Sequence, residues 1–120
     1  MKMREIAYPG QPPIDSYAAG GFRIGGTAVL GDVLVGPNGV TTVGAALDAA
    51  AITAVLEIAG TVDVVLVGLG AEIAALPGDL RSRLEAAGLG VEAMATPAAC
   101  RTYNVMLAEE RRVAALLVAL

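Results

Sequence analysis

Val62-Asp63-Val64-Val65-Leu66-Val67-Gly68 is the stretch on which the fold turns. It is a β-branched run closed by glycine, and its hydrophobicity is nearly continuous rather than alternating. A strand that meets solvent on one side alternates. A continuous run suits a strand buried on both faces, as in a parallel sheet covered by helices. The flanking residues supply those helices. Upstream, Asp48 is placed to cap a helix from Ala49 to Ile58, with Ile52, Val55 and Leu56 at helical spacing and a stop at Gly60. Downstream, Pro77-Gly78-Asp79 opens a helix with Leu80, Leu84 and Ala87 on one stripe and Arg81, Arg83 and Glu85 facing away. Gly88 closes it, just past the helix end where positive φ is favoured.

Further on, Val91 to Met94 reads as a short strand. Thr96-Pro97 then gives an N-cap followed by proline at the first helical position. That third helix is expected to run to about Glu110, with Cys100, Tyr103 and Leu107 at i, i+3 and i+7. The tail from Val113 to Leu120 is ambiguous, since its Ala and Leu could continue the helix on propensity alone. Helices alternating with strands imply right-handed crossovers and parallel pairing, so the class is α/β.

The first third of the chain differs. Pro9, Gly10, Pro12 and Pro13 predict an extended arm over residues 1–13. After it come short pieces parted by glycine: Phe22 to Ile24, Thr27 to Leu30, Asp32 to Val35 and Val40 to Val43. Gly20-Gly21, Gly25-Gly26 and Pro37-Asn38-Gly39 are turn chemistry, so the pieces read as an antiparallel meander of three or four strands. The expected architecture is one compact three-layer domain over 14–120, an N-terminal meander attached to a mostly parallel β/α sheet.

With 120 residues, 56% hydrophobic and 17% charged, the chain fits one domain with a real core. Its composition excludes intrinsic disorder. It has no histidine, so no Ser-His-Asp triad, Cys-His dyad or His-ligated metal is expected. It has no tryptophan and is 3% aromatic, which leaves no stacking platform for single-stranded nucleic acid. A net charge of −4 repels phosphate backbones. Neither a nucleic-acid partner nor a cofactor is expected. The lone Cys100 forms no internal disulfide, and Met1 to Glu5 leads into no apolar segment of a signal peptide. No run approaches the ~20 apolar residues of a membrane span. The expected location is the cytoplasm.

Candidate sites are few, and each has a structural reading beside the functional one. Gly68-Leu69-Gly70 lies at the carboxyl end of the most buried strand, where open α/β sheets bind ligands. A dinucleotide fingerprint would need glycine at position 73, which is Ile73, so tight packing of the strand exit is favoured. Cys100 sits near a helix start beside Arg101, yet lacks a base, and reads as a small hydrophobe. Asn104, mid-helix beside Tyr103, either ties down a neighbouring backbone or meets a ligand; the tether is favoured. Arg101, Arg111 and Arg112 could hold an anion, but Glu109 and Glu110 favour surface pairing. Glu57, Asp63, Glu72 and Asp79 are too scattered for paired acid–base work. No catalytic or metal residue is assigned. The candidate binding residues are Gly68, Gly70, Thr96, Arg101, Asn104 and Arg111.

Several of these residues recur together in one pattern: Val67-Gly68-Leu69-Gly70, Gly88 to Met94, Thr96 and Ala99, Tyr103-Asn104, and Glu109 with Arg111 and Val113. This pattern resembles the small family catalogued as domain of unknown function 498, of Mth938-like fold. Its animal members include mitochondrial complex I assembly factor three and an adipogenesis-associated protein. The resemblance covers nearly the whole chain, including Ile14-Asp15 and Gly20 to Ile24. Two positions depart from the family: Leu69 stands where it often has threonine, and Glu110 where it often has a helix-ending glycine. A glutamate kept in the left-handed conformation costs on the order of 1 kcal/mol. The resemblance implies a helix ending near Glu110 and a final strand from Val113 to Ala119; the Ala/Gly-rich composition and the lack of a presequence suggest a bacterial source. The resemblance implies no reaction. The expected function is a non-enzymatic interaction or assembly factor with a protein partner, linked to respiratory complex I or membrane-protein biogenesis. The alternative is a small-molecule binding protein or enzyme using the crevice at Gly68 to Gly70. Thinly charged strands between Gly20 and Val43 also suggest a homodimer, through an edge strand or through the exposed face of the meander, with the alternative that the proline-rich arm folds back over the edge and leaves a monomer.

Overall fold

A computed structural model describes residues 10–72 and 74–120 of the chain. In order, the elements are β1 (Ile14–Ala18), β2 (Gly21–Ile24), β3 (Thr27–Leu30), β4 (Val33–Gly36), β5 (Gly39–Thr42), α1 (Ala49–Glu57), β6 (Val64–Gly68), α2 (Gly78–Ala86), β7 (Gly90–Met94), α3 (Thr96–Ala108) and β8 (Val113–Leu117). The strands form two sheets, an antiparallel β1-β2-β3 and a mixed β5-β4-β8-β6-β7. Within the mixed sheet β6 is parallel to β7 and β8, whereas β4 is antiparallel to β8 and β5.

The continuous apolar run of β6 has the expected cause. Successive side chains alternate between faces, and both faces of this sheet are covered. Val65, Val67, Leu34 and Leu116 point to one side, where Ile52 and Val55 of α1 and Leu84 of α2 pack on them. Leu66, Val33, Val35 and Leu117 point to the other, against Ala99, Cys100 and Tyr103 of α3 and Phe22 and Ile24 of β2. Each such side chain, once fully buried, stabilises the fold by about 1.5–3 kcal/mol relative to exposure. The layers are therefore α1 with α2, the five-stranded sheet, and α3 with the three-stranded sheet. The α/β class and the three layers match the expectation.

The expected meander divides in two. It breaks at Gly31-Asp32, where Gly31 has φ +83°. Asp32 fixes the corner: its carboxylate oxygens accept the Ala46 N–H at 2.9 Å and the Ala119 N–H at 2.8 Å. Its carbonyl accepts the Val43 N–H at 3.0 Å. β4 thus pairs with β8 instead of β3, and the β4-β5 hairpin extends the large sheet. β1 is a strand that periodicity does not reveal, because only Ile14 in it is buried. Residues 10–13 lead into it, and residues 1–9 of the expected arm lie outside the described residues.

Smaller differences have local causes. β6 begins at Val64, since a 3-10 turn over Ala59–Thr61 precedes buried Val62. On α2 only Leu84 is fully buried; Ala87 is exposed. Arg81 does not face away, because its Nη1 donates to the Val91 carbonyl at 3.0 Å. The tail is strand β8, as the resemblance implies. Two neighbours, β4 and β6, supply its ladders, and tertiary pairing overrides the helix propensity of Ala and Leu.

Candidate functional site

β6 leaves its sheet at Gly68, and α3 starts directly over that point. A Cβ on Gly68 would meet the Cα and the Oγ1 of Thr96, each at 2.9 Å, and the Leu117 side chain at 2.9 Å. Only glycine permits this approach. Thr96 is fully buried, and its hydroxyl donates to the Val118 carbonyl at 2.7 Å while accepting the Gly70 N–H at 2.9 Å. Its own N–H donates to the Gly70 carbonyl at 2.7 Å. Thr96 is therefore not the N-cap that its sequence position suggests; Ala95 holds that place, and Pro97 follows at the helix start. The side chain fills the crevice over the strand ends. It joins β6, β8 and α3 in one contact, and with its proton given to a carbonyl it offers no nucleophile.

A second polar group lies farther along α3. Tyr103, fully buried, donates its hydroxyl proton to the Pro12 carbonyl at 2.8 Å and accepts from Gln11 Nε2 at 3.0 Å. Burial pushes its phenol up to about 12, with the Gln11 hydrogen bond opposing. Asn104 brackets a single residue of β1: its Oδ1 accepts the Ile14 N–H at 2.9 Å and its Nδ2 donates to the Ile14 carbonyl at 2.7 Å. Both ends of the amide are thus engaged by backbone. Burial also pushes the Cys100 thiol up to about 11 against the pull of Arg101, so it stays protonated at neutral pH.

The six candidate residues do not form one site. Gly68, Gly70 and Thr96 come together. Asn104 is eight positions beyond Thr96, about 12 Å along the helix axis at the usual rise, and faces β1. Arg101 and Arg111 are exposed. Arg112 pairs with Asp63 at 3.0 Å, not with the adjacent glutamates, and that hydrogen bond holds the Asp63 carboxyl below its ordinary value. Sequence reasoning missed Asp32 and Gln11. An aspartate after glycine at a strand end is a turn signal that points to Asp32; nothing near Gln11 signals its partner 92 positions away.

Open space lies elsewhere. A cleft of about 410 Å³ separates the tips of the β2-β3 and β4-β5 hairpins, lined by Pro12, Ile24, Thr27, Val29, Asn38 and Val40 among others. Among the described residues no group of three or more His, Cys, Asp or Glu could hold a metal, and no helix is long and apolar enough to cross a membrane.

The sequence profile of the family described as protein of unknown function (DUF498/DUF598) matches residues 14–118. The chain belongs to this family. A relative from Rhodobacter capsulatus, described as an uncharacterised protein, is 44% identical over 117 residues, 98% of this chain and 92% of that one. A solved structure described as an outer membrane protein of Bartonella henselae is 39% identical with a TM-score of 0.86, covering 94% of this chain and 98% of that one. A Bordetella pertussis structure described as a Mth938-like domain is 25% identical with a TM-score of 0.73, covering 98% and 92%. More distant is NADH dehydrogenase [ubiquinone] 1 alpha subcomplex assembly factor 3 of Danio rerio. It is 31% identical over 109 residues, 88% of this chain and 63% of that protein. DUF498 membership and the Mth938-like fold are thus as the sequence pattern implied.

Proposed function

We propose that this chain is a non-enzymatic interaction or assembly factor, acting on a protein partner in respiratory complex I or membrane-protein biogenesis from the cytoplasmic side. One observation carries the reading. The polar side chains that the family pattern brings to α3, Thr96, Tyr103 and Asn104, are all spent on the chain's own backbone. They hold a shape and present no convergent set of groups to a reacting molecule. The distant relation to a zebrafish protein named as an assembly factor points the same way. The test is affinity capture of the tagged full chain from its native cell after brief crosslinking, with a deletion strain examined for intact respiratory complexes on native gels. Recovery of respiratory or membrane-biogenesis subunits, with loss of an intact complex in the deletion, is expected. Capture of neither, with normal complexes in the deletion strain, overturns the reading.

The cleft between the hairpin tips favours a second reading, a small-molecule binding protein. Its volume and apolar lining, with Thr27 and Asn38 as hydrogen-bonding groups, suit an uncharged ligand. This relocates the alternative from the Gly68–Gly70 crevice, which Thr96 fills. A metabolite panel that never shifts the melting temperature removes this reading, since a bound ligand at 100 times its Kd raises stability by about 2.7 kcal/mol.

A further inference from the structure

Four strands stand at the margins of the two sheets: β1 and β3 in one, β5 and β7 in the other. A margin leaves backbone N–H and C=O groups open to another chain, and proteins blunt it with charge, proline or a covering group. Asn104 blunts β1 by taking both backbone groups of Ile14. Arg81 blunts β7 by donating to the Val91 carbonyl, beside exposed Glu92. β5, Gly39-Val40-Thr41-Thr42, likewise carries no charge and no proline of its own, since Pro37 lies in the turn before it, but its outward-directed residues are Val40, only 36% exposed, and the polar Thr42. β3, Thr27-Ala28-Val29-Leu30, has no charge and no proline, and no strand among the described residues pairs with its outer side. Leu30 is 82% exposed.

The ladder fixes which groups are open. β2 and β3 join through the two-residue turn Gly25-Gly26, with Ile24 opposite Thr27 and Phe22 opposite Val29. The Gly31 N–H donates to the Gly20 carbonyl at 2.8 Å, so the odd positions of β3 bond to β2. Alternation then turns the backbone groups of Ala28 and Leu30 outward.

We propose that two copies of this chain join β3 to β3 antiparallel, about a twofold axis through Val29, to make a six-stranded sheet. In that register Ala28 of each copy faces Leu30 of the other, and both pairs exchange two hydrogen bonds, four in all. No charge meets its like across the axis. On the outer face the large Leu30 lies over the small Ala28 opposite it, an isologous contact of knob and space. Val29 meets Val29 on the inner face. Four residues span only about 13 Å, well short of a standard interface, so the dimer is weak and forms in the micromolar range or above.

Sedimentation velocity of the full chain from micromolar to millimolar concentration is expected to show reversible dimerisation. Ala28→Pro removes an outward N–H and leaves the β2 ladder intact; Leu30→Lys puts a charge on the open edge at an already exposed position. Each is expected to weaken association at least tenfold with unchanged circular dichroism. Should Ala28→Pro misfold, Leu30→Lys alone decides. Hydrogen exchange is expected to slow at Ala28 and Leu30 as concentration rises. A chain monomeric throughout, a dimer that survives Leu30→Lys, or protection appearing at Val40 and Thr42 instead overturns the proposal.

Discussion

The two sheets are made from similar material, short β-branched runs between glycines, yet they are held in different ways. The five-stranded sheet is sealed on both faces, and its side chains alternate between two apolar clusters. The three-stranded sheet is covered on one face only, where its Ile14, Phe22 and Ile24 pack against α3 and the large sheet, and polar stitches to α3 do the rest. Helix α3 serves both: Thr96 at its start locks the large sheet, and Tyr103 and Asn104 in its second half hold β1 and the segment before it. A stitch into a doubly covered sheet is expected to govern the whole fold, whereas a stitch into a singly covered one is expected to govern only the part it holds.

The largest expected effect comes from Thr96. Thr96→Val keeps the volume but leaves the half-buried Gly70 N–H and Val118 carbonyl without their partner, a loss of about 2–3 kcal/mol. Urea unfolding reads it as a lower midpoint with unchanged slope. Thr96→Ser keeps the hydroxyl and is expected to lose far less. If valine costs no more than serine, the lock is packing and not hydrogen bonding.

Asn104→Ala sharpens the contrast from the other side. Two hydrogen bonds to Ile14 are lost, about 2 kcal/mol in all, and the effect should be regional. Amide exchange is expected to speed up in β1 and β2 while amides of β6 and β8 keep their protection. Uniform acceleration across both sheets would show that the small sheet does not open separately.

Alkaline pH acts on the same region. Tyr103 keeps its proton to about 12 in the fold, above its ordinary 10.0, and Cys100 to about 11, above 9.0. Both folded values are raised, so the unfolded chain releases these protons first and gains stability relative to the fold. Stability is therefore full below about pH 9 and falls progressively towards pH 12. Tyr103 contributes on the order of 2 kcal/mol to that fall. Chemical denaturation across this range checks it. Tyr103→Phe, though less stable for want of its hydrogen bonds, is expected to show a flatter decline above pH 10. An equally steep decline in that variant refutes the assignment.

How much of this was readable in the residues follows from the same contrast. The large sheet announced itself, because burial on both faces leaves a continuous apolar run in Val64 to Val67 that closes on Gly68. The small sheet did so only in part: β1 buries Ile14 alone, so no period survives to mark it. Long-range polar partners were the least legible. Asn104 read as a tether without a stated target, and Asp32 carried no period at all, although its carboxylate decides where the meander splits. Thr96 looked like a cap because threonine before proline usually is one; its role depends on Gly70 and Val118, which only the fold brings near.

One departure from the family pattern offers the smallest effect and the cleanest control, since the chain builds the same helix ending twice. After α2, the Gly88 N–H donates to the Glu85 carbonyl at 2.9 Å and the Leu89 N–H to the Leu84 carbonyl at 3.3 Å, with Gly88 at φ +92°. After α3, the Glu110 N–H donates to the Leu107 carbonyl at 2.9 Å and the Arg111 N–H to the Met106 carbonyl at 2.9 Å, with Glu110 at φ +62°. Both are Schellman endings, and the left-handed residue is glycine in one and glutamate in the other. A Cβ in that conformation crowds the following carbonyl, which costs on the order of 1 kcal/mol. Glu110→Gly removes the crowding, although it also loosens the unfolded chain. The net expectation is a gain of a few tenths to about 1 kcal/mol. Gly88→Ala runs the same substitution backwards and should lose about 1 kcal/mol, strained by its φ although no atom lies within 4 Å of the added Cβ. Thermal melts of the two variants should therefore move in opposite directions. If Glu110→Gly lowers the midpoint, the glutamate side chain stabilises this corner by more than the left-handed backbone costs.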